Sequence, residues 1–392
     1  MNYNKSVGDD MKRLGIGIMS GTSLDGIDVA LASIEGYHEG TRVTLHHFNT
    51  YPLSDSLINR IRQAMEPKTS SVDLLCSLNF ELGYAFAEAV QKLCQEARLP
   101  LSHLDFVASH GQTMYHMPNE PLPCHRSTLQ LGEGSVIKEM LQTTVISNFR
   151  TADMAVGGQG APLVPFADYV LFKSDTKTRV VHNIGGISNL TWLKKGGLPE
   201  DVMAFDTGPG NMMINDAIFR LLGLPYDDQG IHASLGTPIK PMLEALLSHP
   251  FLSQTPPKST GRETFGSPWT HKLLKQYSDY AINDLLATFT AYTAISIADA
   301  YERYIFPLGP LDEIIFSGGG IHNTFLMNSI KARLHPIPIR TMEDYGMNSD
   351  AKEALAFLIL GHHTLGHVTN HLPSTTGASR PVILGQIHPV LK

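Results

Sequence analysis

Hydrophobic and polar positions alternate along the first part of the chain, which predicts β-strands. Ile16 and Ile18 precede a polar, glycine-bearing turn, and Ile27 and Val29 follow it. Alternation on both sides of a turn predicts a β-hairpin, because successive strand side chains face opposite sides of a sheet. The segment 41–51 continues the alternation and predicts a third strand.

Spacings of three and four residues then take over and predict helices with one buried face. Ser71 can cap a helix that we expect to run to about Ala97, and a second long helix is expected over 279–304. Between these helices, the short apolar strand 104–109 ends on His110. Functional groups at the carboxyl end of a strand are where open α/β sheets place their ligands.

One order of elements occurs twice, which supports two related lobes. A second apolar hairpin spans 180–193 around Gly185 and Gly186, and a strand and a helix follow it over 202–222. We place the boundary between the lobes near residue 175. The predicted organisation is a disordered leader over 1–13, an N-terminal lobe over 14–175 and a C-terminal lobe over 176–392.

Glycine-rich turns at 20–26, 206–211 and 317–320 carry the candidate chemistry. Glycine allows a backbone to approach an anion and to point N–H groups at it. The second and third turns each follow a strand and precede a helix, where free N–H groups and the positive helix end favour phosphate. A single such turn is equally well explained by sterics, but the set favours a bound nucleotide. Beside an anion at the first turn, Asp25 and Asp28 could hold Mg²⁺ or its waters.

Composition narrows the class of protein further. Apolar residues make up 42% of the 392 residues and charged residues 17%, as in ordinary globular proteins. The net charge of −7 argues against nucleic acid or an anionic membrane as the main partner. The three cysteines have no metal-ligand spacing, which favours reduced thiols and a cytoplasmic location. No apolar run approaches the length of a membrane span, and the polar start lacks the apolar segment of a signal peptide.

Several long motifs, in the same order, closely resemble those of the anhydro-N-acetylmuramic acid kinases. They run from residue 15 to about 360 and therefore cover nearly the whole chain. The motifs are GIMSGTSLDG at 17–26, SHGQT at 109–113, GGQGAPLVP at 157–165, NIGGISN at 183–189, FDTGPGN at 205–211 and KEA at 352–354.

This resemblance implies a two-lobed actin-like ATPase fold of the ribonuclease H-like type, with mixed sheets flanked by helices and an active-site cleft between the lobes. It implies a sugar kinase that uses ATP, Mg²⁺ and water. The enzyme would open the ring of 1,6-anhydro-N-acetylmuramic acid while phosphorylating O6. The products would be N-acetylmuramic acid 6-phosphate and ADP, formed during cell-wall recycling by a homodimeric enzyme.

Roles for individual residues follow from the resemblance. Asp168 stands after the GAPLVP run, where the family keeps its catalytic aspartate, so we expect it to take a proton from the attacking water. Without the resemblance, a helix-start aspartate would explain Asp168 better. Asp25 and Asp206 are expected to act on Mg²⁺, directly or through water. The expected ATP contacts are Gly21, Thr22, Ser23, Asp25, Gly26, Asp206, Gly208, Pro209, Gly210, Asn211, Gly318, Gly319 and Asn323.

Sugar contacts are expected from a second set of polar residues. Arg150 suits the lactyl carboxylate because a guanidinium binds a carboxylate bidentately. An ion pair with Asp153 that pins the loop explains Arg150 almost as well. His110 could equally be a buried, satisfied histidine, and helix-start stabilisation could account for Glu353. The expected sugar contacts are His110, Gln112, Thr113, Arg150, Asp153 and Glu353.

Two other functions fit the same fold. A kinase of an ordinary hexose or polyol would need a base for a sugar hydroxyl rather than for water. A non-catalytic ATP-binding module would hydrolyse ATP slowly and independently of any sugar.

Overall fold

Two β-sheets organise the chain, and each belongs to its own unit of structure. The computed structural model describes residues 12–21, 24, 26–118 and 124–390. One unit comprises Met1–Leu171 with Ala351–Lys392, and the other comprises Phe172–Asp350.

The strands are β1 (Arg13–Ser20), β2 (Ile27–Glu35), β3 (Arg42–Tyr51), β4 (Phe106–Met117), β5 (Ser127–Leu131), β6 (Val145–Ser147), β7 (Arg179–Ile184), β8 (Ile187–Leu193), β9 (Met203–Pro209), β10 (Glu313–Ser317), β11 (Ile339–Thr341) and β12 (Gln386–His388).

The helices are α1 (Asp55–Met65), α2 (Val72–Glu96), α3 (Gly134–Leu141), α4 (Thr151–Ala155), α5 (Val164–Phe172), α6 (Met212–Leu222), α7 (Ile231–Ser234), α8 (Lys240–Leu247), α9 (Pro250–Ser253), α10 (Arg262–Phe265), α11 (Ser267–Gln276), α12 (Ile282–Ala300), α13 (Thr324–Leu334), α14 (Lys352–Leu365) and α15 (Pro373–Thr376).

The two sheets share one plan. In the first unit the strand order is β12-β6-β4-β1-β2-β3, and β5 pairs with β4. Strands β1, β2 and β3 are antiparallel neighbours, whereas β4 lies parallel to β1 and β6 lies parallel to β4. In the second unit the order is β11-β10-β7-β8-β9, again with three antiparallel strands followed by two parallel ones. The predicted mixed α/β fold and both predicted hairpins are confirmed.

The first sheet is covered on both faces by helices. Ile16 and Ile18 point into a core that includes Leu78 and Leu82 of α2. The alternate positions face α14, where a Cβ on Gly17 would lie 1.8 Å from the carbonyl oxygen of Ala354. Only glycine allows the helix to approach β1 this closely, because any side chain would overlap the α14 backbone.

Helix α12 forms the centre of the second unit. It packs against α6, α7, α8, α13 and β9. Phe289 and Tyr292 join one apolar cluster with the helices between β9 and α12, and Ile297 joins a second cluster with the sheet. A helix that is apolar nearly all round is expected to be buried, as α12 is.

The last part of the chain returns to the first unit. Helix α14 packs on β1 and β4, and β12 pairs antiparallel with β6. The sequence had assigned all of 176–392 to the second lobe, so the structure corrects that division for 351–392. Of the predicted leader, residues 1–11 lie outside the described residues and Arg13 begins β1. Within the described residues, no helix combines the length and apolar character that crossing a membrane would require.

Candidate functional site

The start of the first glycine turn is held by Gln112 of β4. The hydroxyl of Ser20 lies 2.8 Å from Oε1 of Gln112, and Nε2 of Gln112 donates to the carbonyl of Gly21 at 3.3 Å. Gln112 is fully buried, and β4 runs parallel to β1 in a register that sets Gln112 beside Ser20. These contacts make Gln112 a support for the turn, and its predicted contact with sugar stays a prediction.

Gly26, at the end of this turn, packs against β3. A Cβ on Gly26 would lie 2.6 Å from Cγ2 of Thr50 and 3.0 Å from the carbonyl oxygen of Tyr51, so packing alone requires glycine there. Thr22, Ser23 and Asp25 lie outside the described residues.

Arg150 and His110 form a direct pair in the first unit. Nε of Arg150 donates to Nε2 of His110 at 2.9 Å, and Nδ1 of His110 lies 2.7 Å from the carbonyl oxygen of Gly111. Because Nε2 accepts and Nδ1 donates, these contacts assign the neutral Nδ1–H tautomer to His110. Burial, reinforced by the charge of Arg150, holds the pKa of His110 well below its usual value. His110 is therefore a satisfied, neutral histidine that orients Arg150.

Arg150 and Asp153 bind opposite ends of the same peptide unit rather than each other. Nη1 of Arg150 donates to the carbonyl of Gly160 at 2.7 Å, and the N–H of Gly160 donates to Oδ2 of Asp153 at 2.7 Å. Oδ1 of Asp153 accepts from the hydroxyl of Thr376 at 2.6 Å and lies 3.2 Å from Nε2 of His371. Both residues thus pin the loop, as the alternative interpretation of Arg150 expected, but without a direct ion pair between them among the described contacts.

Electrostatics connects this loop to the start of α14. Burial lowers the pKa of Arg150 to about 10, although the negative charges of Glu353 and Asp153 favour its protonated form. Burial alone would raise the pKa of Asp153, but hydrogen bonds, led by those from His371 and Thr376, outweigh it and lower the pKa. Arg150 thus carries its positive charge close to two carboxylates, those of Glu353 and Asp153.

Thr113 is half-buried at the edge of this region. Its hydroxyl accepts a hydrogen bond from Nε2 of Gln130 at 3.4 Å. Its predicted contact with sugar, like that of Glu353, stays a prediction.

Asp168 lies in α5 and is buried against Lys352. Nζ of Lys352 is 3.0 Å from Oδ1 of Asp168, and the two side chains are 6% and 4% exposed. A base that takes a proton from a substrate water must be reachable by that water. The ion pair holds the carboxylate of Asp168 in place, and the catalytic role that the resemblance assigned to Asp168 stays a prediction.

Asp206 stands near the end of β9 and is half-buried. Oδ2 of Asp206 accepts from the N–H of Thr260 at 2.7 Å, which fixes the carboxylate. Burial raises the pKa of Asp206 to about 7; the nearby charge of Glu263 adds to this, while the hydrogen bond from Thr260 and the charge of Lys258 oppose it. A carboxylate with a pKa near neutrality can act as a proton acceptor under ordinary conditions.

The second glycine turn joins β9 to α6, and backbone N–H groups at this junction already have acceptors. The N–H groups of Gly210 and Met212 donate to the carbonyl of Gly186, and that of Asn211 donates to the carbonyl of Gly185. The turn is tight here, since a Cβ on Gly210 would lie 2.2 Å from the carbonyl oxygen of Gly185. The expectation that these particular N–H groups are free for phosphate is therefore wrong. Pro209 is buried in β9 against Ile187 of β8.

Gly208 and Gly318 adopt conformations that favour glycine. Gly208 has φ of +148° and Gly318 has φ of +83°. A Cβ on Gly318 would also lie 2.5 Å from Oδ1 of Asn183. Glycine is thus required sterically at position 318 of the third turn, whatever that turn binds.

A cavity of about 750 Å³ lies beside the third turn, within the second unit. This volume falls within the range of small-molecule sites, roughly 300–1,000 Å³. Asn323 has a structural task there as well, because its Oδ1 accepts from the N–H of Leu326 and caps α13. The lining includes three residues that the sequence predicted as nucleotide contacts, Asn211, Gly319 and Asn323, and four to which it gave no role, Tyr226, Asp227, Asp228 and Gln229.

Tyr226 is the residue of this lining that sequence reasoning missed most clearly. It is an exposed aromatic side chain at the edge of the cavity. The only available signal was its place in a polar loop after α6. Aromatic rings stack on nucleobases, so Tyr226 suits a nucleoside.

A magnesium ion could be accommodated by the carboxylates present. Within the described residues, no three His, Cys, Asp or Glu side chains converge on a common point. Mg²⁺ in nucleotide sites usually needs only one or two carboxylates, with phosphates and waters as its other ligands. The half-buried carboxylate of Asp206 fits that requirement, and Asp25 lies outside the described residues.

The chain is similar to known proteins over nearly its whole length. The family described as anhydro-N-acetylmuramic acid kinase matches residues 13–390. A relative named anhydro-N-acetylmuramic acid kinase, from Francisella tularensis subsp. novicida (strain U112), is 49% identical over 373 residues, covering 95% of this chain and 98% of the relative. A relative of the same name from Bacillus cereus (strain G9842) is 48% identical over the same shares of both chains.

Solved structures show a weaker likeness. Component A of the Acidaminococcus fermentans (R)-2-hydroxyglutaryl-CoA dehydratase has a TM-score of 0.43 and 11% identity, covering 88% of this chain and 96% of that one. The PilM–PilN type IV pilus biogenesis complex has a TM-score of 0.41 and 12% identity, covering 88% of this chain and 98% of that one.

Proposed function

The chain belongs to the anhydro-N-acetylmuramic acid kinase family, and from this premise we propose that it phosphorylates 1,6-anhydro-N-acetylmuramic acid with hydrolytic opening of the anhydro ring. ATP is the phosphoryl donor. The products are N-acetylmuramic acid 6-phosphate and ADP, and the reaction belongs to cell-wall recycling and amino-sugar catabolism.

The reaction balances as one hydrolysis and one transfer. The oxygen of a water molecule bonds to C1 of the sugar as the C1–O6 bond breaks. O6 then bonds to the γ-phosphorus of ATP, and the bond between that phosphorus and the β–γ bridging oxygen breaks to release ADP. One proton of the attacking water must pass to a base. The enzyme therefore needs a carboxylate that is ionised near neutral pH and reachable by water.

The family match over residues 13–390 is the observation that carries the proposal. We assign the water-activating role to Asp168, at the position where the resemblance implies the family's catalytic aspartate. Its carboxylate is oriented by Lys352, whose Nζ lies 3.0 Å from Oδ1. Asp206, whose pKa burial raises to about 7, is the competing candidate in the experiment below.

The first unit supplies the groups for the sugar. Nε and Nη1 of Arg150 donate to His110 and Gly160. We assign the remaining N–H groups of Arg150 to the lactyl carboxylate, with Glu353, His110, Gln112, Thr113 and Asp153 around or behind them.

The second unit supplies the groups for the nucleotide. The adenosine is assigned to the cavity lined by Gly319, Asn323 and Tyr226. The phosphates are assigned to the turns that contain Gly208 and Gly21, as the family motifs imply. Mg²⁺ bound with ATP neutralises phosphate charge, and Asp206 and Asp25 are the carboxylates that would hold it or its waters.

Location and assembly complete the proposal. The three cysteines form no disulfide, which suits a reducing cytoplasm, where ATP is also available. The family resemblance further suggests a homodimer, which light scattering on the purified protein would test.

The decisive experiment is a product assay in ¹⁸O-labelled water. The wild-type protein is given ATP with either the anhydro sugar or a panel of hexoses. We expect a 6-phosphorylated product that carries ¹⁸O at the anomeric carbon, only from the anhydro sugar. Phosphorylation of an ordinary hexose, or of the anhydro sugar without label at C1, would contradict the proposal. Asp206→Asn and Asp168→Asn are compared in the same assay to choose between the two carboxylates.

A further inference from the structure

A β-bulge interrupts the end of β9 at Thr207. Strand β8 pairs with β9 so that Ser188 lies opposite Gly208 and Asn189 lies opposite Asp206. Thr207 is therefore left over in the pairing of these two strands. Bulges bend a strand locally and are common beside active sites, where they redirect a side chain. This bulge sets the direction of the Asp206 carboxylate on one side of Thr207 and of the Gly208 backbone on the other.

The side chain of Thr207 supplies a contact that the strand pairing does not. Its buried Oγ1 lies 2.7 Å from Oγ of Ser188 and 3.2 Å from the carbonyl oxygen of the same residue. Oγ of Ser188 in turn lies 2.7 Å from Nε2 of His182, and Nδ1 of His182 lies 2.9 Å from the hydroxyl oxygen of Tyr301. A continuous chain of hydrogen bonds therefore runs from the bulge through β8 and β7 to Tyr301, just after α12.

His182 is suited to the middle of this chain, because a neutral imidazole accepts at one nitrogen and donates at the other. Its ring is fully buried and lies nearly parallel to that of Tyr301, with an angle of 7° and ring centres 5.7 Å apart. The ring centre of Phe316 is 4.8 Å away. Burial raises the pKa of Tyr301, so its hydroxyl keeps its proton. The imidazole is thus held in one orientation, and it holds the hydroxyl of Ser188 in turn.

We propose that His182 is a positioning residue for ATP, which acts through Ser188 and Thr207 on the bulge at the end of β9. This inference rests on the proposed function, which assigns phosphates to the turn that contains Gly208. A buried, satisfied hydrogen-bond network specifies one arrangement of the groups that it joins. Without the imidazole, Ser188 loses the partner that orients its hydroxyl, Thr207 can turn, and the backbone at Gly208 loses the conformation that receives the phosphates.

Substitutions along the chain separate positioning from stability alone. His182→Leu removes both hydrogen bonds of the imidazole and keeps an apolar side chain of similar size, whereas His182→Gln keeps one acceptor and one donor. Thr207→Val removes only the last hydroxyl of the chain. The matched control is Thr290→Val, which removes a buried hydroxyl that donates to the carbonyl of Leu286 within α12.

ATP affinity is the readout that a purely structural role would not move. We expect His182→Leu and Thr207→Val to raise KM for ATP and the calorimetric Kd of ATP about tenfold, as losing one hydrogen bond to the phosphates would. KM for the anhydro sugar should stay within about twofold of the wild type, because the effect is confined to one substrate. His182→Gln should restore most of the ATP affinity. Thr290→Val should leave it unchanged, even where its urea midpoint falls as far as that of His182→Leu.

Two results would overturn the proposal. An unchanged Kd of ATP in folded His182→Leu would show that the chain of hydrogen bonds serves stability alone. An equal rise of Kd in Thr290→Val would show that any loss of stability weakens ATP binding. If His182→Leu does not fold, Tyr301→Phe takes its place, since it removes a single hydroxyl at the far end of the chain. Its Kd should rise as well, and an unchanged value would again overturn the proposal.

Calorimetry keeps this inference separate from the proposed function. A wild-type protein that binds ATP but does not convert the anhydro sugar would remove the proposed reaction, and the variants would still test the role of His182 in ATP binding. An active wild type whose ATP affinity survives His182→Leu would remove this inference alone.

Discussion

The ammonium group of Lys352 lies 3.0 Å from Oδ1 of Asp168, and both side chains are almost fully buried in the first unit. The pair joins α5 to the first turn of α14. Glu353, the next residue of that turn, is the carboxylate whose charge acts most strongly on Arg150. The ion pair therefore fixes the start of the helix that presents Glu353 to the proposed sugar-binding residues.

Breaking this pair on one side is expected to destabilise the protein strongly. Lys352→Met removes the ammonium group while the carboxylate of Asp168 stays buried, which costs about 3–5 kcal/mol of unfolding free energy in comparable pairs. Replacing both residues, as Lys352→Met with Asp168→Leu, should recover most of the loss, because no charge is then buried. Urea denaturation of the two single variants and the double variant measures the effect.

The same variants examine the role of Asp168 in the reaction. A folded double variant should lose turnover by orders of magnitude, since Asp168 is the proposed base. If the double variant folds and keeps kcat within about tenfold of the wild type, Asp168 is not the base and our assignment fails.

Activity should depend on the ionisation of Asp206, because its charged carboxylate is the form that would hold Mg²⁺ or its waters. Because burial raises the pKa of Asp206 to about 7, kcat/KM should rise with pH through that value and level off above it. Asp206→Asn should bind ATP, remain folded and lose turnover by about 100-fold or more. A pH–rate profile of the wild type and calorimetric ATP titration of the variant test both expectations. An acid limb near pH 4 would contradict them.

The same raised pKa has a consequence for stability. Between the pKa of an unfolded aspartate, about 3.9, and about 7, the native protein binds a proton that the unfolded chain does not. Asp206 therefore favours folding less as the pH rises, and its penalty is complete above pH 7. Asp206→Asn should raise the unfolding midpoint at pH 8 but change it little at pH 4. An equal change at both values would show that the effect is not one of charge.

Acid should destabilise the first unit through two buried histidines of α14. Nδ1 of His362 accepts from Arg13 and Nε2 donates to the carbonyl of Gly36, while Nε2 of His363 accepts from the N–H of His38. Burial lowers the pKa of His362 to about 4 and that of His363 to about 3. Unfolded histidines bind protons near pH 6.5, so stability should fall as the pH drops from there toward 4, by up to about 1.4 kcal/mol per pH unit for each histidine.

Denaturation midpoints at pH 7.5 and pH 5 provide the measurement for these histidines. His363→Gln should weaken the pH dependence, although it also lowers stability at neutral pH by altering packing. His335→Gln, at an exposed position, serves as the matched control and should leave the dependence unchanged. A wild-type protein that is equally stable at both pH values would contradict the prediction.

Gly17 should be intolerant of a single methyl group. A Cβ there would lie 1.8 Å from the carbonyl oxygen of Ala354, so Gly17→Ala must push α14 away from β1. Overpacking of a core costs about 1–3 kcal/mol, and backbone is harder to move than a side chain. Gly40→Ala is the control, because nothing lies within 4 Å of its new Cβ. Thermal unfolding should show a clear loss for the first variant and almost none for the second.

Local patterns predicted the fold well, since the information they need is contained in neighbouring residues. Alternation around the turns at 20–26 and 185–186 predicted both hairpins, and the spacing of apolar residues predicted α2 and α12. The return of 351–392 to the first unit was not predictable in this way. An apolar helix face shows that α14 is buried, but not which sheet covers it.

The same limit applies to the candidate site. The sequence identified Arg150, Asp153 and His110 as polar groups with a shared purpose, yet only the structure shows that two of them hold the peptide of Gly160. It assigned free N–H groups to the turn before α6, whereas the carbonyls of Gly185 and Gly186 occupy them. Pairing of Asp168 with Lys352 involves residues far apart along the chain, which no local pattern connects.

The division of the first unit between both ends of the chain bears on how the protein is made. Residues 172–350 emerge from the ribosome as one continuous stretch and contain every strand of their own sheet, so that sheet can assemble while translation is still under way. Its counterpart must wait for α14 and β12, which are translated last. Premature termination before residue 351 would therefore release a polypeptide whose earliest strands had lost the helix that shields them.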